Sequence, residues 1–221
     1  MKEYMNELAE MDLFRGISEE NLAGMMDCLG YGIKKYRKGE FIILEDDDVK
    51  NICIVIDGKV DMVKEDIWGN ETTFMRIRKS EVFGESFACS TKTKALITFR
   101  VAADAVIMFL PYHRVMHSCS MTCRFHHRLI ENMVSIISDK NQELMKKLDI
   151  ISKRTLREKI LAFLSMQAQI TGSQSFEIDM GRIELADYLC TDRSALTREL
   201  NNMRNEGIID FNKNRFTIRR N

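Results

Sequence analysis

The sequence predicts an α+β chain in which an N-terminal β-roll, a double-stranded β-helix of the jelly-roll type, precedes a long helix and a C-terminal winged helix-turn-helix. Three observations support this fold class. Short β-rich runs follow one another between residues 41 and 110, a spacing typical of barrels and sandwiches. Residues 120–151 contain neither glycine nor proline and carry a helical period. Two helical stretches and a hairpin pattern then occupy residues 182–218.

Composition limits the classes of protein to which the chain can belong. Its 221 residues are 45% hydrophobic and carry no formal net charge, so only a local cluster of cations could contact nucleic acid. Residues 152–221 hold 12 Lys and Arg against 9 Asp and Glu, a balance of +3, which leaves −3 for residues 1–151. Six cysteines and a charged N-terminal stretch without a signal-peptide pattern predict a cytoplasmic protein with reduced thiols. No apolar run is long enough to predict a membrane partner.

Residues 1–119 are predicted to form the β-roll, led by two short helices within residues 7–28. The predicted strands are residues 41–44, 52–56, 59–63, 73–77, 96–102 and 105–110. Asp57-Gly58 lies between the second and third of these runs. Because both residues of an Asp-Gly pair tolerate positive φ, this dipeptide is a strong hairpin signal. We therefore expect a tight turn at Asp57-Gly58.

Residues 120–151 are predicted to form one long helix that pairs with the same helix of a second chain. Mostly apolar side chains recur along it at alternating spacings of four and three, the heptad pattern of supercoiled helices. Asn141 lies within this seam, and a buried asparagine favours a parallel, in-register pair. The alternative is that the stripe packs against the chain's own β-roll. The seam comprises Cys123, His127, Ile130, Val134, Ile137, Asn141, Leu144, Leu148 and Ile151.

Residues 152–221 are predicted to form the winged helix-turn-helix. Leu185 and Leu189 give its first helix an apolar face, and Ala186 is small enough for two helices to cross closely. Thr191 or Asp192 is expected to cap the second helix, because a short oxygen-bearing side chain satisfies free N–H groups. The start of the second helix in such a motif enters the major groove of DNA. The predicted DNA-binding residues are Arg182, Thr191, Asp192, Arg193, Ser194, Thr197 and Arg198.

The two arginines at the start of the second helix carry most of this prediction. Arg193 and Arg198 are expected to contact bases or phosphates, since a guanidinium matches the O6 and N7 atoms of guanine bidentately. Ser194 and Thr197 offer shorter contacts to bases or backbone. The alternative is an amphipathic helical pair with a solvated basic face and no DNA partner. The hairpin that follows and the long helix that precedes favour the DNA-binding interpretation.

These residues together resemble the Crp/Fnr family of bacterial transcriptional regulators over essentially the whole chain. The resemblance rests on Phe83-Gly84-Glu85 in the β-roll, on the long helix, and on residues 188–200 with the exit Glu206-Gly207-Ile208-Ile209. Lys38-Gly39-Glu40 also matches, whereas Asp46-Asp47-Asp48 stands where a glycine turn is usual. Membership would imply a homodimer whose effector changes the geometry of two DNA-binding domains on a palindromic operator. It would also imply RNA polymerase as a partner.

The resemblance places an effector pocket near the Gly84-Glu85 pair but does not identify the effector. Members that bind cyclic AMP keep an arginine and a hydroxyl side chain shortly after this pair, because a cyclic phosphate needs both. Residues 90–95 contain no arginine, and a lysine there lacks the bidentate fork. We therefore expect an effector other than cyclic AMP. The predicted pocket residues are Phe83, Gly84, Glu85, Ser86, Lys92, Thr93 and Lys94.

A metal or redox effector is a further hypothesis. An oxygen-sensing iron-sulfur cluster needs four thiolates, with three in a tight N-terminal group, and this chain has only Cys28 there. Cys119, Cys123 and His126 instead fall at helical spacing and could hold zinc, haem iron or a redox-active thiol pair. The alternative is that these cysteines are small apolar core residues. The sequence itself identifies no cofactor.

Two other classes of protein compete with the regulator. A cupin-like metal-dependent enzyme would need histidines on barrel strands, but all four histidines follow Pro111. A nucleotide-sensing regulatory module for a partner protein would leave the helix-turn-helix unexplained. The sequence therefore predicts a DNA-binding regulator without enzymatic activity, whose effector is a small molecule, a metal or a redox signal.

Overall fold

The computed structural model describes residues 4–116 and 124–219, and these residues divide into two compact units between Asp139 and Lys140. The first unit is built on a β-sheet and the second on helices with a small sheet, so the α+β class predicted from the sequence is confirmed. Among the described residues, no helix combines the length and the apolar character that a membrane span requires.

The first unit is an antiparallel β-roll preceded by short helices. Its two longest strands, β3 and β6, pair along most of their length, and the sheet order is β1-β6-β3-β4 with β2 on β6 and β5 on β3. The elements are α1 (Met5–Ala9), a 3₁₀ turn (Asp12–Phe14), α2 (Glu19–Leu29), β1 (Gly32–Tyr36), β2 (Phe41–Ile43), β3 (Asn51–Glu65), β4 (Glu71–Ile77), β5 (Val82–Phe83), α3 (Glu85–Ala88), β6 (Thr98–Pro111) and α4 (Tyr112–Met116).

The hairpin predicted at Asp57-Gly58 is wrong. Strand β3 runs straight through this dipeptide, and its register against β6 shifts on either side of it. Gly58 has a φ of 90°, and a Cβ atom there would lie 2.2 Å from the carbonyl oxygen of Asp104. Positive φ at a glycine serves a β-bulge as well as a turn, and here the close approach of β6 requires the bulge.

Helix α5 (Arg124–Ile151) begins in the first unit and ends in the second. Within the first unit, Leu129 and Met133 are buried in the core. The side-chain amide of Asn132, also buried, donates to the backbone oxygens of Leu13 and Arg15 at 3.0 and 2.9 Å. Because a buried amide is costly unless it is hydrogen-bonded, this pair of bonds fixes the rotation of α5 about its axis against the N-terminal segment.

The second unit is a winged helix-turn-helix whose described elements follow the sequence prediction closely. A capping box between Thr155 and Glu158 begins its first helix, and the small sheet has the order β7-β9-β8. Phe163, Phe176 and Phe216 lie in its core. The elements are α6 (Leu156–Thr171), β7 (Ser175–Glu177), α7 (Arg182–Tyr188), α8 (Arg193–Asn205), β8 (Ile209–Asn212) and β9 (Arg215–Ile218).

Candidate nucleic-acid interface

Helices α7 and α8 are joined by a tight turn that fixes the direction of α8. Cys190 in this turn has a φ of 51°, and the backbone N–H of Thr191 donates to the oxygen of Ala186 at 3.0 Å. The apolar faces of the two helices meet in one buried cluster. Its members from this motif are Leu185, Ala186, Leu189, Leu196, Leu200 and Met203. The sequence pattern thus turns the remaining face of α8 toward solvent.

The cap predicted for α8 is only partly present. Asp192 occupies the N-cap position with extended backbone, but its side chain makes no capping hydrogen bond. Among the described residues, the Asp192 carboxylate therefore leaves the first N–H groups of α8 uncapped. Thr197, another predicted contact, donates its hydroxyl to the backbone oxygen of Arg193 at 2.8 Å. That bond orients its side chain along the helix surface.

The exposed face of α8 brings four of the predicted DNA contacts together in a shallow groove of about 660 Å³. Within the described ranges, neither the Arg193 nor the Arg198 guanidinium forms a hydrogen bond or ion pair, and both side chains are exposed. Because neither cation has to leave a partner in the described residues, the two can bind an external anion at little cost in free energy. The groove is lined by Arg193, Ser194, Thr197, Arg198, Asn201 and Asn202.

Sequence reasoning missed the last two members of this groove. Asn201 lies four residues after Thr197, and Asn202 lies four residues after Arg198, so they extend the same helix face by one turn. An asparagine amide can read adenine through its N6 and N7 atoms. The signal was present in the sequence as a spacing of four, but the expected contact set ended at Arg198.

Arg182, also predicted as a DNA contact, lies apart from this groove. It begins α7, and its Nη2 atom donates to the backbone oxygen of Lys213 in the β8–β9 turn at 2.6 Å. Its guanidinium carbon lies 5.0 Å from the ring centroid of Phe211 and 4.9 Å from that of Phe216. Burial lowers the pKa of this arginine.

A fourth arginine, Arg157, fixes α8 against α6. Arg157 donates through Nε to Glu199 at 2.6 Å and through both terminal nitrogens to Glu206 at 2.7 Å. These hydrogen bonds lower the pKa of Glu206 and raise that of Arg157. Since the positive charge of Arg157 faces two carboxylates, it contributes little to the field around the groove, in contrast to Arg193 and Arg198.

In the first unit, the predicted effector residues fall into two groups. Phe83 ends β5, Gly84 is the N-cap residue of α3, and Glu85 and Ser86 begin that helix. Glu85 is 3% exposed, whereas Ser86 lies at the surface and its hydroxyl is 3.4 Å from a Glu85 oxygen. Gly84 takes a φ of 77°, which only glycine adopts without strain.

The second group, residues 92–94, lies against the acidic loop at residues 46–48. The Thr93 hydroxyl donates to Asp48 at 3.1 Å, and the Lys94 ammonium lies 3.5 Å from the other oxygen of the same carboxylate. Lys94 also donates to the backbone oxygen of Asp46 at 2.9 Å. The side chain of Lys92 is exposed. One exposed carboxylate of the same chain thus binds both the hydroxyl and the cation that a phosphate would require here.

Aromatic and thiol groups occupy the interior beside Glu85. The ring centroids of Phe83 and Phe99 are 5.1 Å apart, and Phe87 packs edge-on against Phe99 at 6.3 Å. Burial, with Glu85 as a second cause, raises the pKa of Cys53 and of Cys89. A thiol with a raised pKa is a poor nucleophile and a poor metal ligand. This interior is therefore suited to apolar contacts.

The predicted heptad seam lies on a largely exposed face of α5 beside the face that carries Leu129 and Met133. Val134 is 58% exposed and Leu148 is 63% exposed. Asn141 is exposed as well, while Ile130 and Ile151 are half-buried and Cys123 lies outside the described residues. The remaining large apolar side chains of the seam, Ile137 and Leu144, are also exposed.

The structure describes only one of the three hypothetical metal ligands, His126. Cys119 and Cys123 lie outside the described residues. His126 is 2% exposed, and neither of its ring nitrogens has a hydrogen-bond partner in the described part of the chain. Within residues 4–116 and 124–219, no three His, Cys, Asp or Glu side chains form a group that could hold a metal ion.

Family comparisons agree with this architecture. The cyclic nucleotide-binding domain matches residues 33–120, and the Crp-like helix-turn-helix domain matches residues 158–220. Among curated proteins, cGMP-dependent protein kinase 2 of Mus musculus and that of Rattus norvegicus are each 29% identical over 107 residues, 48% of this chain. The matched region spans only 13% of the length of those kinases.

Solved structures share the fold over most of the chain. The catabolite activator protein of Thermus thermophilus is 20% identical, with a TM-score of 0.55 over 94% of this chain and 93% of that one. The c-di-GMP responsive global regulator CLP of Xanthomonas campestris is 15% identical, with a TM-score of 0.61 over 90% and 100%. A CooA mutant from Carboxydothermus hydrogenoformans is 18% identical, with a TM-score of 0.61 over 91% and 88%.

The two matched domains together cover more than half of the chain, and they occur in the order that the fold displays. The N-terminal one is an effector-binding type of domain, and the C-terminal one is a DNA-binding type. A cyclic nucleotide-binding domain followed by a Crp-like helix-turn-helix is the arrangement of the Crp/Fnr transcriptional regulators, and this chain belongs to that family.

Proposed function

We propose that the protein is a homodimeric, sequence-specific DNA-binding regulator whose affinity for DNA is controlled by an effector other than cyclic AMP. The observation that carries the DNA-binding part is the exposed pair Arg193 and Arg198, which have no partner in the described residues. Ser194 and Thr197, with Thr191 and Asp192 at the start of the helix, complete the proposed contact surface. We assign Arg182 a different role below.

Exposure along α5 supports the dimer. Apolar side chains such as Val134, Leu144 and Leu148 lie more than half exposed at heptad spacing, an arrangement that water disfavours and a second identical helix would bury. Asn141 lies midway along this stripe and would pair with its counterpart. Two recognition helices would then face half-sites about one helical turn apart on a palindromic operator. This proposal divides the chain into residues 1–119, 120–151 and 152–221.

The contacts of Asp48 support an effector other than cyclic AMP. A cyclic phosphate entering beside Thr93 and Lys94 would have to displace this carboxylate, which already satisfies both groups. No arginine stands in residues 90–95 to compensate with a bidentate contact. The proposal therefore favours a ligand recognised mainly by apolar contacts, or a metal or redox signal, and the effector itself is not identified.

We propose no enzymatic activity. A cupin-like enzyme would place metal-binding histidines on barrel strands, whereas the described histidines His113, His126 and His127 lie on helices α4 and α5. A nucleotide-sensing module for a partner protein would leave the free arginines of α8 without a role. RNA polymerase as a partner and a cytoplasmic location complete the proposal.

Binding to duplex DNA tests the proposal. Duplexes selected from a random-sequence pool by the full-length protein should bind it tightly, and the affinity should fall steeply with salt because phosphate contacts release counterions. Arg193→Ala and Arg198→Ala should each abolish the preference for the selected sequence while the melting temperature stays unchanged. Arg219→Ala is the matched control, because that guanidinium is paired with Asp210 at 2.8 Å. Undiminished sequence preference in both variants would reject the role of α8.

The dimer is tested separately by mass. Leu148→Glu should convert the protein to a monomer in sedimentation, because it places two carboxylates against each other within the proposed interface. Asn141→Val should keep or raise stability but loosen the register or the oligomeric state. Glu143→Ala, at an exposed position off the seam, should change neither property. Unchanged mass in the Leu148→Glu variant would contradict the interface.

A further inference from the structure

The β8–β9 hairpin of the second unit, here called the wing, is fastened at its turn by an arginine from α7. The Nη2 atom of Arg182 donates to the backbone oxygen of Lys213 at 2.6 Å. The N–H of Ile178 donates to the neighbouring oxygen of Asn214 at 3.0 Å. The turn, residues 212–214, is therefore held from two sides through its backbone oxygens.

Stacking holds the guanidinium of Arg182 in this position. Its central carbon lies 5.0 Å from the ring of Phe211 and 4.9 Å from that of Phe216, and the two rings are 5.7 Å apart. The Nη1 atom is buried without a hydrogen-bond partner in the described part of the chain. A guanidinium that keeps a buried, unsatisfied N–H group is retained by its stacking and by the bond to the turn.

The turn presents cations to solvent. Lys213 takes a φ of 52°, and its side chain and that of Arg215 are exposed. Within the described ranges, neither of these side chains forms an ion pair. The ammonium of Lys213 is therefore carried at the tip of the wing by a turn whose backbone is held in place.

We propose that Arg182 is a positioning residue: it orders the wing so that Lys213 contacts the phosphate backbone of bound DNA, and it does not contact DNA itself. This inference rests on the proposed DNA-binding function and replaces the direct contact that the sequence predicts for Arg182. The guanidinium of Arg182 is half-buried, stacks on two rings and already donates to the turn, so it is less free to meet a phosphate than the exposed ammonium of Lys213.

The salt dependence of DNA binding separates positioning from direct contact. The full-length protein is titrated into a fluorescein-labelled random-sequence duplex of about 30 base pairs at several salt concentrations, where each neutralised phosphate adds about 0.9 to the slope. Lys213→Ala should lower the slope by about 0.9 for each bound chain. Arg182→Ala should lower it by a similar amount, and the double variant should lower it no further.

Arg182→Gln provides the decisive comparison because it removes the charge but keeps an N–H donor for the Lys213 carbonyl. The wild-type slope should be retained in this variant. Arg204→Ala is the matched control, since Arg204 stacks on Phe211 at 4.9 Å but donates to Asn201 and not to the turn. Its slope should also be unchanged.

Several results would overturn the inference. An additive loss in the double variant, or equal losses in Arg182→Gln and Arg182→Ala, would show that Arg182 binds phosphate directly. An unchanged slope in Lys213→Ala would remove the wing contact altogether. If Arg182→Ala fails to fold in a thermal melt, the glutamine variant alone decides. Failure of the wild-type protein to bind the duplex at low salt would instead refute the proposed function.

Discussion

The effector segment of the first unit and the recognition helix of the second differ in whether their cationic side chains are already bound by a carboxylate. In the first, Thr93 and Lys94 are both held by the carboxylate of Asp48. In the second, Arg193 and Arg198 project into solvent without a partner in the described residues. Both segments contain the hydroxyls and cations that bind phosphates. The difference teaches that composition alone does not locate an anion site, because a carboxylate of the same chain can bind its hydroxyl and cation first.

The second unit repeats this contrast among its own arginines. Arg157 is bound by two glutamates, and Arg182 is stacked and bound to a carbonyl. Arg157 and Arg182 thus fix the positions of α8 and the wing. Arg193 and Arg198, which have no partner in the described residues, lie on the surface that those contacts orient. Structural and recognition roles are thus divided between residues of the same type.

The largest expected effect concerns thiols of the two units. Cys53 is buried with a raised pKa, whereas Cys190 in the α7–α8 turn is exposed. Because the thiolate is the reactive form, iodoacetamide should label Cys190 at least about 1000-fold faster than Cys53. Mass spectrometry of the intact and digested protein measures both rates. Comparable labelling rates for Cys53 and Cys190 in the native protein would mean that the β-roll interior is open to solvent. The expected difference between the two thiols would then be contradicted.

A tenfold to hundredfold effect is expected at α8. Arg193→Lys keeps the charge but loses the bidentate fork, which is worth about 1–3 kcal/mol of discrimination at a guanine. Affinity for the selected duplex should therefore fall about 10- to 100-fold, while affinity for random duplex stays the same. Fluorescence anisotropy on both duplexes measures this, with Arg219→Lys as the control. Equal losses on both would assign Arg193 to the backbone and not to bases.

A shift of a few degrees is expected when the committed Arg157 is removed. Its hydrogen bonds lower the pKa of Glu206, so the pair stabilises the fold above the ordinary glutamate pKa and loses this effect as pH falls through the lowered one. The melting temperature of the wild type should therefore fall more steeply than that of Arg157→Met between about pH 5 and about pH 3. Parallel curves would show that the pair adds no stability. Arg154→Met, at an exposed turn position, is the control.

The smallest effect is expected from cyclic nucleotides. Cyclic AMP or cyclic GMP at about 1 mM should give no binding heat and change the affinity for the selected duplex by less than about twofold. Asp48→Ala frees Thr93 and Lys94, and a gain of binding in this variant alone would strengthen the contrast. Micromolar binding to the wild type would overturn the role given to Asp48.

Local signals predicted much of this molecule, while contacts distant in sequence were not accessible. The bounds of α8 and the wing follow from periodicity and turn residues within a few positions. Gly58 was misread because its positive φ depends on the approach of Asp104, 46 residues away. The hydrogen bond between Asp48 and Thr93 joins positions 45 residues apart, and the hydrogen bond between Arg157 and Glu206 joins positions 49 residues apart. Such pairings arise from packing, which no local pattern encodes.

The number of protein chains on one selected duplex tests the central claim most directly. We expect two chains of 25.7 kDa each, bound to half-sites whose centres lie about one helical turn apart, and we expect the Leu148→Glu variant not to form this complex. Mass measurement of the complex in solution decides the matter. One chain per duplex, or an unchanged complex formed by Leu148→Glu, would contradict it.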